Sequence, residues 1–132
     1  MSEATGALFE RYHAAWEAHD PDAIARLHSA DSVFHVHTGQ DPARGQEAIR
    51  NATAQVFELV PDLAFEPVSL RVGEDFWVAE WKMTGTTAAG APVEIDLVDV
   101  VSVEDGLVAG KQSYVDGAAM QAALASVGQP AG

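Results

Sequence analysis

Apolar residues recur at three- and four-residue steps through the first half of the chain and at every second position through much of the rest. From Ala7 to His19, the residues Leu8, Tyr12, Ala15, Trp16 and His19 fall on one stripe of an amphipathic helix. Asp20-Pro21 then restarts the chain. Asp20 can cap a second helix by accepting from its unpaired N–H groups, and Pro21 suits a first helical position, where a missing donor costs nothing. Ile24, Leu27 and His28 continue the inward face of this short helix. Residues 29–32 break it, and Val33 to His37 reads as a short strand with Phe34 and Val36 on one side and His35 and His37 on the other. Thr38 to Pro42 is a loop. A third helix is expected from about Gly45 to Leu59, with Ile49, Thr53, Val56, Phe57 and Val60 inward and Pro61 closing it.

After Asp62 turn residues return every ten or so positions, as consecutive antiparallel strands require. Four strands fit: Leu63 to Val72, Phe76 to Thr86, Pro92 to Val103 and Leu107 to Asp116, with turns at 73–75, 88–90 and 104–106. Pro67 cannot donate to a ladder, so its strand lies at an edge or carries a bulge. Ala118 to Ala125 is helix-prone, and 127–132 reads as a flexible tail. Helices first and a meander afterwards predict one α+β domain over 1–132, a twisted sheet laying one face on the helices and able to enclose a pocket.

The length of 132 residues suffices to bury a core without a disulfide or structural metal, and 48% hydrophobic against 20% charged residues is ordinary globular usage. Twenty acidic against seven basic residues give a net charge of −13, the wrong sign for phosphate backbones or anionic lipid. Nucleic acid and membrane are therefore excluded as expected partners. The absence of cysteine removes thiolate nucleophiles and Cys-ligated metals. Residues 1–8 have neither the basic start nor the apolar run of a secretory signal, so the expected location is cytoplasmic.

Parity separates the two faces of the third strand of the meander. Its odd positions are Val93, Ile95, Leu97, Asp99, Val101 and Val103, which makes Asp99 the one carboxylate in an aliphatic row. A carboxyl group held there loses hydration, and its neutral form is favoured unless a cation or several donors compensate. A neutral acid could donate to a developing oxyanion; the alternative is an Asp99 that faces water at a sheet edge or caps a turn. On the following strand Gln112, Tyr114 and Asp116 share a face and resemble a polar wall, with Asp116 placed at the pocket mouth as acid or base, or as N-cap of the last helix. Tyr12 could pair with Asp99 or simply pack in the core. His35 and His37 share a strand face, but two imidazoles without a third ligand make no metal motif; they line the pocket or lie at the surface, and no metal or cofactor is expected. Trp77, Trp81 and Met83 form a bulky stripe that is either core, the lining of an apolar site together with Trp16, Phe34 and Phe57, or a surface against a second subunit. No G-x-S-x-G elbow or Gly-rich phosphate cradle occurs.

Four segments carry a family resemblance: Arg11 to Asp20 with Asp22 to Ala25, Arg44 to Arg50, Leu97 to Gly106, and Ser113 to Asp116. In their order and spacing the chain resembles the nuclear transport factor 2-like superfamily, particularly its SnoaL-like polyketide cyclase and ketosteroid isomerase branches, from about Leu8 to Leu124. The resemblance implies a cystatin-like cone, a curled mixed sheet wrapped round three N-terminal helices with an apolar pocket, often in a homodimer formed through the sheet. Tyr12 and Asp99 fall where ketosteroid isomerases keep the tyrosine and protonated aspartate of an oxyanion hole. Val36 falls where those isomerases keep their base, so that isomerase activity is not expected. Asp116 matches the acid/base aspartate of SnoaL-like cyclases, and Gln112 replaces an often aromatic residue. The resulting expectation is a cofactor-independent enzyme for aldol-type cyclisation or isomerisation of an apolar, carbonyl-bearing molecule. Asp116 would move the proton, Asp99 and Tyr12 would hold the oxyanion, and His35 and His37 would tune or relay. The alternative is a noncatalytic module of the same fold that binds a hydrophobic ligand or dimerises.

Overall fold

Helix α1 (Ser2–Glu17) stops where His19 adopts a left-handed φ of 52°. His19 N then donates to Trp16 O and Asp20 N to Ala15 O, the paired bonds that satisfy the last carbonyls of a helix. The turn delivers Asp20 as the cap of α2 (Pro21–Arg26), where its side chain accepts from Ala23 N. The second helix is shorter than the apolar spacing suggests. His28 is not on its inward face but opens strand β1 (His28–Val36), which begins five residues earlier than expected. A computed structural model describes residues 2–128, and side chains from 3 to 123. Of the tail expected at 127–132, residues 127 and 128 close the last helix and the others lie outside the described residues.

After a two-residue strand β2 (Ala43–Arg44), α3 (Gly45–Leu59) leads into the meander β3 (Ala64–Val72), β4 (Phe76–Thr86), β5 (Pro92–Glu104) and β6 (Leu107–Val115), and α4 (Gly117–Gly128) follows. The sheet order is β2-β1-β6-β5-β4-β3, antiparallel except where β1 and β6 run parallel, so the sheet is mixed. Pro67 lies on edge strand β3, beside a register shift between Pro67 and Ser69; the edge position and the bulge both hold.

Strands β5 and β6 join through Asp105-Gly106, with φ of 52° and 74°. Two consecutive left-handed residues make the tight turn whose twist suits a hairpin. Three residues into the hairpin the register shifts: Val103 faces Val108, but Ser102 faces Gly110, leaving Ala109 as an extra residue on β6. Below this bulge Val101 stands opposite Lys111 and Asp99 opposite Ser113. Because opposite residues share a face, Lys111, Ser113 and Val115 turn to the helix side with Asp99, and Gln112 and Tyr114 turn away from it.

The helix side carries the core. Leu8, Ile24, Ile49, Trp77, Ile95, Val101 and Val108 are almost fully buried there. A ring cluster ties α1 to the sheet, with Phe9 edge-on to Trp77, His13 stacked on Trp81 at 4.7 Å and Tyr12 tilted against Trp77. Among the described residues no helix covers the opposite face, which exposes Phe76, Val100 and Tyr114. Among the described residues no helix is long and apolar enough to cross a membrane.

Candidate functional site

A cavity of about 130 Å³ opens between the sheet, α3 and α4. Trp16, Phe34, Val56, Met83, Leu97 and Met120 are among its apolar walls, and its polar side chains are Asp99, Lys111, Ser113 and Thr87. Apart from Thr87, these groups come from the two adjacent strands that the Asp105-Gly106 turn joins.

Asp99 is 7% exposed and engaged at both oxygens. The Ser113 hydroxyl donates to Oδ1 at 2.6 Å, and the Lys111 ammonium stands 3.7 Å from Oδ2. The carboxyl group thus has a hydroxyl donor on one oxygen and a cation beside the other, the two kinds of compensation that would offset its loss of hydration. Lys111, which no motif in the sequence marks, supplies the compensating cation. Its ammonium lies over three rings, at 4.4 Å from the centroid of Trp16, 5.0 Å from Tyr12 and 5.1 Å from Phe34. Burial pulls the lysine toward neutrality, but the charge of Asp99 and contact with Tyr12 outweigh it and hold Lys111 above its ordinary range. An ion pair this deep persists only because rings and partners replace lost water.

Tyr12 is buried and bonded away from the cavity. Its hydroxyl is 2.8 Å from His28 Nε2, and His28 Nδ1 is 2.8 Å from the Ser32 hydroxyl. With the imidazole proton on Nδ1, the ring donates to the Ser32 hydroxyl and accepts the phenol O–H at Nε2, which satisfies all three groups at once. Burial raises the Tyr12 pKa. Burial first, and the nearby Lys111 charge second, lower that of His28 to about 3, keeping the ring neutral. Tyr12 thus steadies Lys111 and is not paired with Asp99 as a second donor. Beside it the Trp16 indole N–H is buried without a hydrogen-bond partner among the described residues.

Several expected site residues lie elsewhere. Asp116 is exposed, accepts from Ala119 N at 3.2 Å and caps α4, outside the cavity. His35, His37, Gln112 and Tyr114 lie together on the opposite sheet face: His37 Nε2 is 2.6 Å from Gln112 Oε1, its ring stacks on Tyr114 at 4.2 Å, and His35 Nε2 is 3.2 Å from Gln40 O. Among the described residues no three His, Asp or Glu side chains are grouped to hold a metal ion. Trp77 and Trp81 pack on α1 rather than line the main cavity, and Phe57 stacks on His19 at 4.4 Å and meets Trp16 edge-on. Trp16, Phe34 and Met83 line it.

Residues 9–110 match the model of the SnoaL-like domain family. The chain belongs to that family. The matched stretch includes Tyr12 and Asp99. No curated protein matches the sequence. Among solved structures, this SnoaL-like chain is similar to a hypothetical protein with a ketosteroid isomerase-like fold from Catenulispora acidiphila in complex with trimethylamine, at 19% identity, TM-score 0.78 and 93% coverage of both chains. It is also similar to a nuclear transport factor 2-like protein from Burkholderia xenovorans, at 17% identity, TM-score 0.82, and 93% and 97% coverage. A third is TerC co-crystallised with polyporic acid, at 16% identity, TM-score 0.82, and 92% and 98% coverage. At these identities the likeness concerns the fold, which agrees with the mixed, curled sheet and helices seen in this domain.

Proposed function

We propose that this SnoaL-like domain removes a proton beside the carbonyl of a compact apolar molecule, without a cofactor, as in an isomerisation or an aldol-type ring closure. Asp99 is the base and Lys111 receives the negative oxygen. The observation that carries this reading is the ion pair of Asp99 and Lys111 at the polar end of an otherwise apolar cavity. The Asp99 carboxylate takes the α-proton, the C–H electron pair becomes the enolate double bond, and the carbonyl electrons move onto oxygen, where a Lys111 N–H meets them. At 3.7 Å the pair is too far apart for a direct hydrogen bond, so a ligand oxygen can accept from the ammonium without displacing Asp99. The cavity resembles in size those that hold a single benzene ring. Solved relatives that carry trimethylamine or polyporic acid support a fold that takes small molecules.

The test is exchange of α-protons of cyclohexanone in D₂O, followed by NMR with protein in catalytic amount. Wild type is expected to accelerate exchange, and Asp99→Asn to lower the rate by roughly 10²-fold or more, the scale of a lost general base, while binding changes little. Binding without exchange by wild type would favour the noncatalytic ligand-binding reading.

We also propose that a second copy covers the outer sheet face. Val98 and Tyr114 are cross-strand partners there and Val100 faces both Val78 and Gln112, a neutral strip that is bordered by Glu80, Lys82 and Asp96 and exposes Val100 and Tyr114. Light scattering after gel filtration should give a dimer for wild type and a monomer for Val100→Asp; a wild-type monomer at high micromolar concentration would refute the pairing.

A further inference from the structure

A second, smaller cavity of about 20 Å³ lies against the first, and Trp16, Phe65, Asp99 and Lys111 line both. The Lys111 side chain is therefore part of a partition, and its ammonium sits where three aromatic faces and a carboxylate converge. Rings presenting their faces around one point, with an anion beside them, form the arrangement that recognises organic ammonium ions. In this chain a tethered ammonium already fills it. The rings are held from independent elements: Trp16 and Tyr12 by α1, with Tyr12 fixed further through His28 and Ser32, and Phe34 by β1. Phe34 is the cross-strand partner of Lys111, held by backbone pairing that a change of the lysine side chain does not remove.

We infer that Lys111 is the specificity-determining residue of the cavity: it occupies an ammonium cage, so that the pocket takes ligands bearing a carbonyl or similar acceptor and rejects amines. This inference rests on the proposed ligand-binding role of the cavity and adds its selectivity. A ligand cation in the wild-type cavity would meet a like charge and find Asp99 already paired. A carbonyl oxygen would instead meet an ammonium whose hydrogens Asp99 leaves partly free at 3.7 Å. Removing the charge while keeping the stem reverses the preference, because Asp99 and the three rings then lack a cation.

The test compares wild type, Lys111→Met and Lys111→Ala by calorimetry and ligand-observed NMR, with cyclohexanone, cyclohexylammonium, n-propylammonium and n-propanol as probes. Wild type should favour cyclohexanone over cyclohexylammonium at least tenfold, and Lys111→Met should invert that order. Lys111→Ala lacks the three carbons and nitrogen of n-propylammonium. It should bind that ion at least tenfold better than n-propanol and gain melting temperature from it, and the gain should vanish in Asp99→Asn/Lys111→Ala. If Lys111→Ala does not fold, the inversion in Lys111→Met decides alone. Equal affinity of wild type for ketone and ammonium, or an unchanged order in Lys111→Met, would overturn the inference while leaving a ligand site in place. If wild type takes neither ring but the Lys111 variants take the ammonium ions, the cage stands and the proposed function falls.

Discussion

Ser113 and Asp99 face each other across the β5–β6 ladder, and the serine hydroxyl donates to the carboxylate at 2.6 Å inside the protein. A hydrogen bond to a charged group is stronger than a neutral one and fixes which way the carboxylate plane turns. Ser113→Ala removes that hold while adding no bulk. Stability should fall by about 1.5–3 kcal/mol, read from urea denaturation, and proton exchange should fall along with it. Full retention of exchange would show that the orientation of Asp99 is set by something other than this bond.

The ion pair itself calls for a mutant cycle. Asp99→Leu alone leaves a buried ammonium and Lys111→Met alone a buried carboxylate, so each should cost on the order of 3–5 kcal/mol. Together they replace two charges by two apolar side chains in an aromatic and aliphatic setting, and the double variant should recover most of the loss. Chemical denaturation of all four proteins measures the coupling; additive losses would mean that the pair does not interact.

Acid should act on the domain through His28. Its folded pKa is depressed, so the neutral ring's contribution is complete above about pH 6.5 and is lost as pH falls toward about 3, because the unfolded chain takes up a proton that the buried ring refuses. Between pH 7 and pH 5 this one group should cost roughly 2 kcal/mol. Comparing that loss with the loss in His28→Gln isolates the contribution, and ring NMR shifts at pH 5 should report a neutral imidazole with its proton on Nδ1. A protonated ring at that pH would contradict the network.

Asp116 should behave as a cap and nothing more. Asp116→Ala loses the bond to Ala119 N at the start of α4, worth about 0.5–2 kcal/mol, and should leave the exchange rate at the wild-type value. A hundredfold loss of exchange would restore it to the chemistry.

The contrast between Asp99 and Asp116 shows where the sequence is readable. Alternation along β5 places Asp99 on the inner face from sequence alone, and the boundaries of α3 and β4 follow from their spacing and turn residues. The face of β6 does not follow, because it depends on pairing. Counted back from the Asp105-Gly106 turn without interruption, Gln112 would oppose Asp99 and share its face, as the row of Gln112, Tyr114 and Asp116 suggests. Ala109 bulges out, and the row turns over. Lys111 is illegible for a related reason: a lone lysine in a strand reads as a solvent residue until an anion and several rings are found around it. The earlier start of β1, and with it the part played by His28, rests on pairing with Val108, a partner eighty residues away.

The bulge makes the lining of the cavity a matter of register as much as of composition. Were Ala109 drawn into the ladder opposite Ser102, with no change of length, every later residue of the strand would slip by one place, presenting glutamine and tyrosine to the interior and turning lysine and serine out to the solvent; losing the single codon for Ala109 would only straighten the ladder and leave the lining as it is. One unchanged stretch of chain thus holds two alternative hollows, and a single kink selects between them.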